Sequence, residues 1–182
     1  MESARPATGE DVSRLAQLVA EAVAEQSEGR GGRIWSAREA RARPAEASLA
    51  TLVEDPGALV LAGTIDDTVV GYAVAVTEEL RTGDRLGIVT DVYVESEARE
   101  VGVGEALLDR VVAWCEEAGC IGIDALALPG NRQTKNFFES FGFTARAIVV
   151  HRRLQCASPL GERARQAQRH GHRGTIRRMV PQ

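Results

Sequence analysis

The sequence is poor in lysine and cysteine and has no long hydrophobic run, and each shortage excludes a class of protein. Lys135 is the only lysine and precedes an asparagine, so no Gly-Lys-Ser/Thr phosphate-binding loop occurs. Cys115, Cys120 and Cys156 are an odd number without metal-ligand spacing. No stretch approaches the roughly 18 uninterrupted apolar residues of a membrane span, and the polar first residues predict no signal peptide. We therefore expect a protein of the reduced cytoplasm, with no metal site and no membrane partner.

Charge is distributed unevenly along the chain. The net charge is −4, but residues 151–182 carry eight arginines and one acid, a balance of +7 against −11 for residues 1–150. Because the apolar pattern ends near Gln155, we expect one domain over residues 1–154 and a basic, disordered tail over residues 155–182. The tail is either a solvated extension, or an arm on the acidic body of a homodimer partner, or a nucleic-acid arm. Without interleaved aromatic residues the last reading is the weakest, so we expect no nucleic-acid partner.

Hydrophobic periodicity in the first half of the domain predicts strands and helices in mixed order. "ARPAT" predicts a short strand, and apolar residues at helical spacing from Val12 to Val23 predict a helix. The glycine-rich "SEGRGGRIW" predicts a mobile loop. A helix over residues 36–53 should be split or kinked at Pro44. "ALVLAGTI" and "TVVGYAVAV", separated by two aspartates, predict a β-hairpin, and "LGIVTDVYV" predicts a fourth strand.

The second half continues with a helix from Gly104, a fifth strand at "IGIDALAL" and a short helix at "RQTKNFFESF". "FTARAIVVHRRL" predicts the last strand or two because it is rich in β-branched residues. The order of elements is that of an α+β domain with a mixed sheet.

"REVGVGEALL", residues 99–108, lies between the fourth strand and the following helix. It is not the dinucleotide fingerprint G-x-G-x-x-G, because Leu107 occupies the third glycine position. Two glycines at a helix N-terminus nevertheless leave room for a pyrophosphate, which the backbone N–H groups and the helix dipole would bind. A tight turn with an ordinary N-cap is the alternative interpretation.

The spacing Arg99-x-x-Gly102-x-Gly104 matches the R-x-x-G-x-G/A signature of the GCN5-related N-acetyltransferase (GNAT) family. "NRQTKNFFESFGF" is similar to the family's closing signature N-x-x-A-x-x-F-Y-E-x-x-G-F. "RPATGEDVSRL", "TVVGYAVAV" and "DVYVESEAREVGVGEALL" resemble its opening segment, third strand and coenzyme A segment. The resemblance covers about residues 4–154 in consistent order.

The resemblance implies a GNAT-type α+β fold. Its central sheet is mixed and mostly antiparallel, strands 4 and 5 splay apart, and about four helices flank the sheet. It also implies an N-acetyltransferase that moves an acetyl group from acetyl-CoA to a primary amine of a small molecule or a protein, by direct attack and without a metal. The coenzyme A site implied by the family comprises Val92, Tyr93, Val94, Arg99, Glu100, Val101, Gly102, Val103, Gly104, Glu105, Asn131, Phe137 and Phe138.

Asp91 is the candidate general base, because relatives with an "EDLYV"-like strand carry acids here and "TDVYV" retains the second. Strand alternation predicts that Asp91 shares a sheet face with Val89 and Tyr93. A merely solvated strand aspartate remains an equal alternative. Glu78 and Glu79 are weaker candidates for the base.

Phe138 departs from the family pattern, since it occupies the position of the tyrosine that usually protonates the departing thiolate. The resemblance therefore implies a slow enzyme, because a thiolate of pKa near 8.5 can leave unaided. The alternative is a non-catalytic acyl-CoA-binding regulatory protein that has lost this general acid.

The acceptor site is the least defined part of the sequence. In the family, the loop between the first two helices lines it, which makes Arg33 and Trp35 candidates. Arg33 would suit an acceptor with a carboxylate or phosphate, whereas Glu78 and Glu79 on the opposite loop would suit a polyamine. The sequence leaves this choice open.

Overall fold

The computed structural model describes residues 1–154, in which five strands and five α-helices alternate in a mixed order. Two short 3-10 turns, Gly9–Asp11 and Ser96–Ala98, precede α1 and α4. The elements in chain order are β1 (Glu2–Pro6), α1 (Val12–Ser27), α2 (Gly32–Arg38), α3 (Ala45–Val53), β2 (Ala58–Ile65), β3 (Thr68–Glu79), β4 (Arg85–Val94), α4 (Val103–Glu117), β5 (Cys120–Ala125) and α5 (Arg132–Ser140).

The strands form one sheet in sequence order, β1 to β5. The first four pair antiparallel, and α4 then carries the chain across the sheet so that β5 pairs parallel to β4. Asp66 and Asp67 both adopt positive φ in the turn between β2 and β3, as a tight two-residue hairpin requires. This is the mixed, mostly antiparallel GNAT-type sheet that the sequence predicts.

Strand alternation divides the core between the two faces of the sheet. On one face, Leu61 and its neighbours pack against α4 and α5. On the other face, Val60 and Ala62 pack against the apolar stripe of α1 and against Leu49 of α3. The sheet is therefore covered by helices on both faces.

A β-bulge in β4 changes the expected placement of Asp91. Val74 and Ala75 are consecutive in β3 but pair with Asp91 and Val89, so Thr90 is the extra residue. The prediction that Asp91 shares a face with both Val89 and Tyr93 is therefore wrong. Val89 belongs to the core under α4, whereas Tyr93 packs against the core under α1, and the Asp91 carboxylate contacts Tyr72 of the latter core.

The C-terminal half of β4, residues 90–94, lacks a partner strand on the β5 side. Pairing between the two strands runs from Arg85 to Val89 of β4 and ends at Ala125 of β5. Within the part of the chain that the structure describes, the backbone of residues 90–94 therefore borders an opening in the sheet. This opening is the predicted splay between β4 and β5, and the candidate functional cleft lies beside it.

Two local predictions need correction. The "SEGRGGRIW" segment is not a loop throughout, because α2 begins at Gly32. The split predicted at Pro44 is confirmed: the helical region is interrupted over residues 39–44, and α3 begins directly after Pro44, which cannot continue a helix from the preceding turn. The last strand is absent, since residues 143–154 form neither helix nor strand. Ile148, Val149 and Val150 are 82–90% exposed, because β-branched residues favour a strand only where a partner strand or a core is present.

Met1–Thr144 forms one compact unit, and a second unit begins at Ala145. The domain boundary at residue 154 stays a prediction. The predicted tail over residues 155–182 lies outside the described residues. None of the described helices is long and apolar enough to cross a membrane.

Candidate active site

Two adjoining concavities lie beside the splay between β4 and β5. We call the first the glycine cleft, because Arg99, Glu100 and Gly104 of the glycine-rich segment line it. We call the second the aspartate cavity, because Asp91 and Arg41 lie in its wall. The two share the side chains of Gln26, Val92 and Thr134, so they meet at β4.

The glycine cleft has a volume of about 410 Å³ and collects most of the predicted coenzyme A residues. Those in its lining are Val92, Tyr93, Val94, Arg99, Glu100, Gly104, Glu105, Asn131 and Phe137. Val101, Gly102 and Val103 are absent from its lining, and Phe138 lines the aspartate cavity instead. The remaining lining side chains come from α1 and α5.

The N-terminus of α4 forms one end of the glycine cleft. Gly102 is its N-cap with a φ of 99°, and Glu100 also adopts a left-handed φ of 64°. Two left-handed residues within three positions turn the chain sharply into the helix, and such strain concentrates at ligand sites. A Cβ on Gly104 would lie 3.3 Å from the Phe137 ring. The first N–H groups of α4 have no partner within the helix, and glycine at position 104 avoids this close approach to Phe137.

Arg99 is tied to three groups at the edge of this cleft. Its Nε donates to the Val94 carbonyl oxygen at 2.9 Å. Its Nη1 and Nη2 donate to the Glu25 carboxylate of α1 at 3.1 and 2.6 Å. The guanidinium carbon also lies 5.5 Å from the centre of the Tyr93 ring. Hydrogen bonding to Glu25 raises the pKa of Arg99 further, so the group is a permanent cation.

The charge balance of the glycine cleft is unusual for an anion site. Arg99 is the one cation in its lining, whereas Glu25, Glu100 and Glu105 are carboxylates. Two further cations, Arg132 and Lys135, lie on α5 outside this lining, and Lys135 pairs with Glu139. A bound anion would therefore depend on Arg99 and on the N–H groups of α4.

The aspartate cavity contains an ion pair that the sequence did not reveal. Arg41, in the segment between α2 and α3, donates through Nε and Nη2 to the two carboxylate oxygens of Asp91. The side chains are only 8% and 11% exposed. The Thr90 hydroxyl also donates to Asp91, at 2.8 Å. Asp91 is therefore not a merely solvated strand residue.

Tyr72 of β3 forms the floor beneath this ion pair. Its hydroxyl donates to Asp91 Oδ1 at 3.4 Å, and its ring is buried in the core under α1. Burial raises the pKa of Tyr72 well above its ordinary value, and the negative charge of Asp91 raises it further. Tyr72 therefore remains protonated and serves as a hydrogen-bond donor.

The apolar walls of the aspartate cavity include Trp35 and Phe138. Phe138 is buried, and its ring lies 5.3 Å from that of Phe143. Its position between the core and the cavity explains why a phenyl ring is accommodated there.

The cofactor candidate Asn131 has a structural role as well, because its side-chain oxygen caps α5 by accepting the Thr134 N–H at 3.0 Å.

Three predicted acceptor residues lie outside both concavities. Arg33 is exposed on α2, and Glu78 and Glu79 are exposed at the far end of β3, paired with Leu86 and Arg85 at the start of β4. Sequence reasoning missed Arg41, Tyr72, Gln26 and Thr134 as lining residues. Only Tyr72 carried a signal, since a tyrosine within an apolar strand usually has a buried partner for its hydroxyl.

No group of three histidine, cysteine or acidic side chains that could hold a metal ion occurs among residues 1–154. Cys115 is buried beneath β4, and burial raises the pKa of its thiol to about 11. A thiol of that pKa is a poor nucleophile at neutral pH.

The sequence profile of the Acetyltransferase (GNAT) family matches residues 16–143. The matched region contains both concavities, most of α1 and every element from α2 to α5. The chain therefore belongs to the GNAT acetyltransferase family. A search of curated protein sequences finds no match.

Solved structures share this fold at low sequence identity. The tetramutant of the BH1408 protein from Bacillus halodurans is 18% identical over 83% of this chain and 99% of its own, with a TM-score of 0.72. A ribosomal-protein-alanine N-acetyltransferase from Brucella melitensis biovar Abortus is 20% identical over 85% and 100%, with a TM-score of 0.63. An aminoglycoside acetyltransferase from an uncultured soil metagenomic sample, in complex with sisomicin, is 19% identical over 85% and 96%, also at 0.63. At these identities the likeness establishes the fold alone.

Proposed function

We propose that this protein transfers an acetyl group from acetyl-CoA to a primary amine by direct attack. The observation that carries the proposal is the junction of the two concavities at Val92. A glycine-lined helix N-terminus lies on one side, and a carboxylate, Asp91, lies on the other. A donor thioester and an acceptor amine could therefore meet at β4 without moving the sheet.

The glycine cleft fits the pyrophosphate of coenzyme A. The first N–H groups of α4 suit phosphate oxygens. Gly104 lines the cleft without a Cβ that would crowd Phe137, and Arg99 supplies a cation. The three carboxylates nearby oppose a second anion, so we propose that a phosphate oxygen takes the place of Glu25 on Arg99. The backbone of residues 92–94, which has no partner on the β5 side, would hold the pantetheine arm and polarise the thioester carbonyl through an N–H group.

Asp91 is the proposed proton acceptor for the attacking amine. Its carboxylate lies in the cavity wall one residue before Val92 and accepts hydrogen bonds from Arg41, Thr90 and Tyr72. Three donors hold it in one orientation, which suits proton transfer in a fixed geometry. They also occupy its lone pairs, so an arriving ammonium group must displace a donor before it transfers a proton.

Phe138 cannot protonate the departing sulfur. A positioned general acid contributes roughly 10²–10⁴-fold to such a step, so the proposed enzyme is slow unless water serves. Tyr72 is no replacement within the described structure, because its hydroxyl points to Asp91. The thiolate would leave unaided and take its proton from the attacking nitrogen.

The test is thiol release from acetyl-CoA across a broad panel of primary amines, with acetyl-CoA binding measured in parallel by calorimetry. The proposal expects amine-dependent thiol release that falls in Asp91→Asn, while the affinity for acetyl-CoA is unchanged. Binding of acetyl-CoA without release for any amine would contradict the proposal and favour a non-catalytic acyl-CoA-binding regulator.

A further inference from the structure

The ion pair between Arg41 and Asp91 lies in the wall of a small cavity of about 70 Å³, which adjoins the larger glycine cleft, rather than in a closed core. Both side chains line the aspartate cavity, together with the apolar side chains of Trp35 and Phe138. The two partners come from different elements, since Arg41 belongs to the α2–α3 segment and Asp91 to β4. A ligand that enters the cavity therefore meets one positive and one negative group side by side.

Each member of the pair retains other partners when the two separate. Arg41 also donates through Nη1 to the Ser48 hydroxyl at 2.7 Å. Asp91 also accepts from the Thr90 hydroxyl at 2.8 Å and from Tyr72. These contacts would hold both charged groups in place while a ligand comes between them.

The opposite charges of Arg41 and Asp91 determine which ligands can come between them. An amine with one positive group would pair with Asp91 but leave Arg41 unpaired in a site from which water is largely excluded. An uncompensated charge in such a site is costly. A molecule that carries both an ammonium group and a carboxylate replaces both halves of the ion pair at once. The penalty against the singly charged amine is then a source of specificity.

We propose that the acceptor is a small amino carboxylate of the amino-acid class, whose carboxylate binds Arg41 and whose ammonium group binds Asp91. This inference rests on the acetyl transfer proposed above and names its acceptor. The apolar walls formed by Trp35, Phe138 and Leu126 would receive the carbon skeleton of the acceptor. Arg41 fits the carboxylate because its planar guanidinium matches two oxygens at once.

The proton balance follows from this arrangement. When the acceptor carboxylate binds Arg41, Asp91 is released to take one proton from the ammonium group. The freed lone pair on nitrogen forms the C–N bond to the thioester carbon, and the C–S bond breaks. The second nitrogen proton passes to the thiolate, and Asp91 returns its proton to solvent. The products are an N-acetyl amino carboxylate, coenzyme A with a free thiol, and one proton.

The experiment compares matched acceptors that differ only in the carboxylate. Leucine is tested against isoamylamine and leucinamide, and phenylalanine against phenethylamine, by thiol release from acetyl-CoA. Because an unpaired charged group in a buried site is costly, kcat/KM for the amino acid should exceed that for its amine by about tenfold or more. The difference should fall on both KM and kcat, since the acceptor carboxylate adds binding to Arg41 and also frees Asp91 to take the proton.

The variant arm separates recognition from folding. Arg41→Gln should bring the ratio of the two kcat/KM values close to one, and Arg41→Lys should restore part of it. A merely structural Arg41 would lower both values in parallel and leave the ratio unchanged, which would overturn the proposal. Arg38→Gln is the matched control, because Arg38 is 74% exposed and lines neither concavity.

The two proposals fail in different ways. Equal kcat/KM values for amino acid and amine in the unaltered protein would overturn the acceptor assignment but leave acetyl transfer standing. Thiol release from no acceptor, with acetyl-CoA bound, would overturn acetyl transfer itself.

Discussion

The guanidinium of Arg41 spans the carboxylate of Asp91, fifty positions later in the chain, and binds it through both oxygens. This contact joins the segment between α2 and α3 to the C-terminal half of β4. It also neutralises the only carboxylate in the aspartate cavity. The aspartate cavity is therefore electrically balanced, while three carboxylates face one cation in the glycine cleft.

Substitution of Gly104 by glutamate should abolish acetyl-CoA binding. The new side chain would begin 3.3 Å from Phe137 and place a fourth carboxylate in the glycine cleft. Calorimetric titration with acetyl-CoA measures the effect. Gly9→Glu is the control, because Gly9 is exposed just before α1, has nothing within 4 Å of its Cβ position and lines neither concavity. Normal binding by Gly104→Glu would remove the pyrophosphate assignment.

Arg99→Ala should weaken acetyl-CoA binding by about 1.5–3 kcal/mol, the usual contribution of a hydrogen bond to a charged group. Glu25→Gln should have the opposite effect and raise the affinity for acetyl-CoA several-fold, because Glu25 competes with phosphate for the Arg99 guanidinium. Glu21→Gln, one turn earlier on α1, is the control. Weaker binding by Glu25→Gln would mean that Glu25 orients Arg99 for the ligand instead.

Phe138→Tyr should raise kcat by up to about tenfold if the thiolate leaves unaided, because a hydroxyl there could donate a proton as the C–S bond breaks. The effect should fall on kcat more than on KM, since the interaction arises in the transition state. Steady-state thiol release measures both constants. Phe141→Tyr is the control, as Phe141 belongs to the same aromatic cluster but lines neither concavity. A lower kcat in Phe138→Tyr would show that the phenyl ring packs against the acceptor.

Asp11 should stabilise the fold in a pH-dependent way. The Arg5 guanidinium, at 2.8 Å, and the Thr8 N–H and hydroxyl groups lower the pKa of the Asp11 carboxyl to about 2. The charged form is therefore favoured by folding. Its contribution, about 2 kcal/mol from the difference in pKa, is present above about pH 4 and is lost as the pH falls toward 2.

Chemical denaturation measures this contribution. Asp11→Asn should lower the free energy of unfolding by about 2 kcal/mol at pH 7, and the difference from the unaltered protein should shrink near pH 2. The exposed Asp109 on α4 offers the control, Asp109→Asn, with little expected change at either pH. A loss in Asp11→Asn that is the same at both pH values would mean that the carboxyl acts through shape alone.

Cys115 and Cys120 should differ in reactivity. Burial raises the pKa of the Cys115 thiol to about 11, whereas Cys120, at the start of β5, is half-buried. In a Cys156→Ser background, iodoacetamide at pH 8 should therefore alkylate Cys120 and leave Cys115 intact in the folded protein. Peptide mass spectrometry gives the site, and both thiols should react in denaturant. Rapid alkylation of Cys115 without denaturant would contradict its burial under β4.

Local sequence patterns predicted most of the secondary structure. The two-aspartate hairpin, the stripe of α1 and the glycine-led start of α4 depend on neighbouring residues, and all three occur as expected. The prediction of a last strand was wrong because a strand does not depend on neighbouring residues alone. Residues 148–150 have strand-forming side chains, but a strand also needs a partner that the local sequence does not specify.

Local sequence patterns were enough to predict the order of elements from β1 to α5, the glycine-led turn into α4 and the family, because each of these depends on residues that are close together in the chain. The tertiary structure alone decided what surrounds Asp91. A one-residue bulge at Thr90 shifts the strand periodicity, so Asp91 faces Tyr72 rather than the core of Val89. The segment between α2 and α3 then brings Arg41 to it. Neither event has a local signature, since a bulge arises from pairing with a second strand and an ion pair from the path of the whole chain.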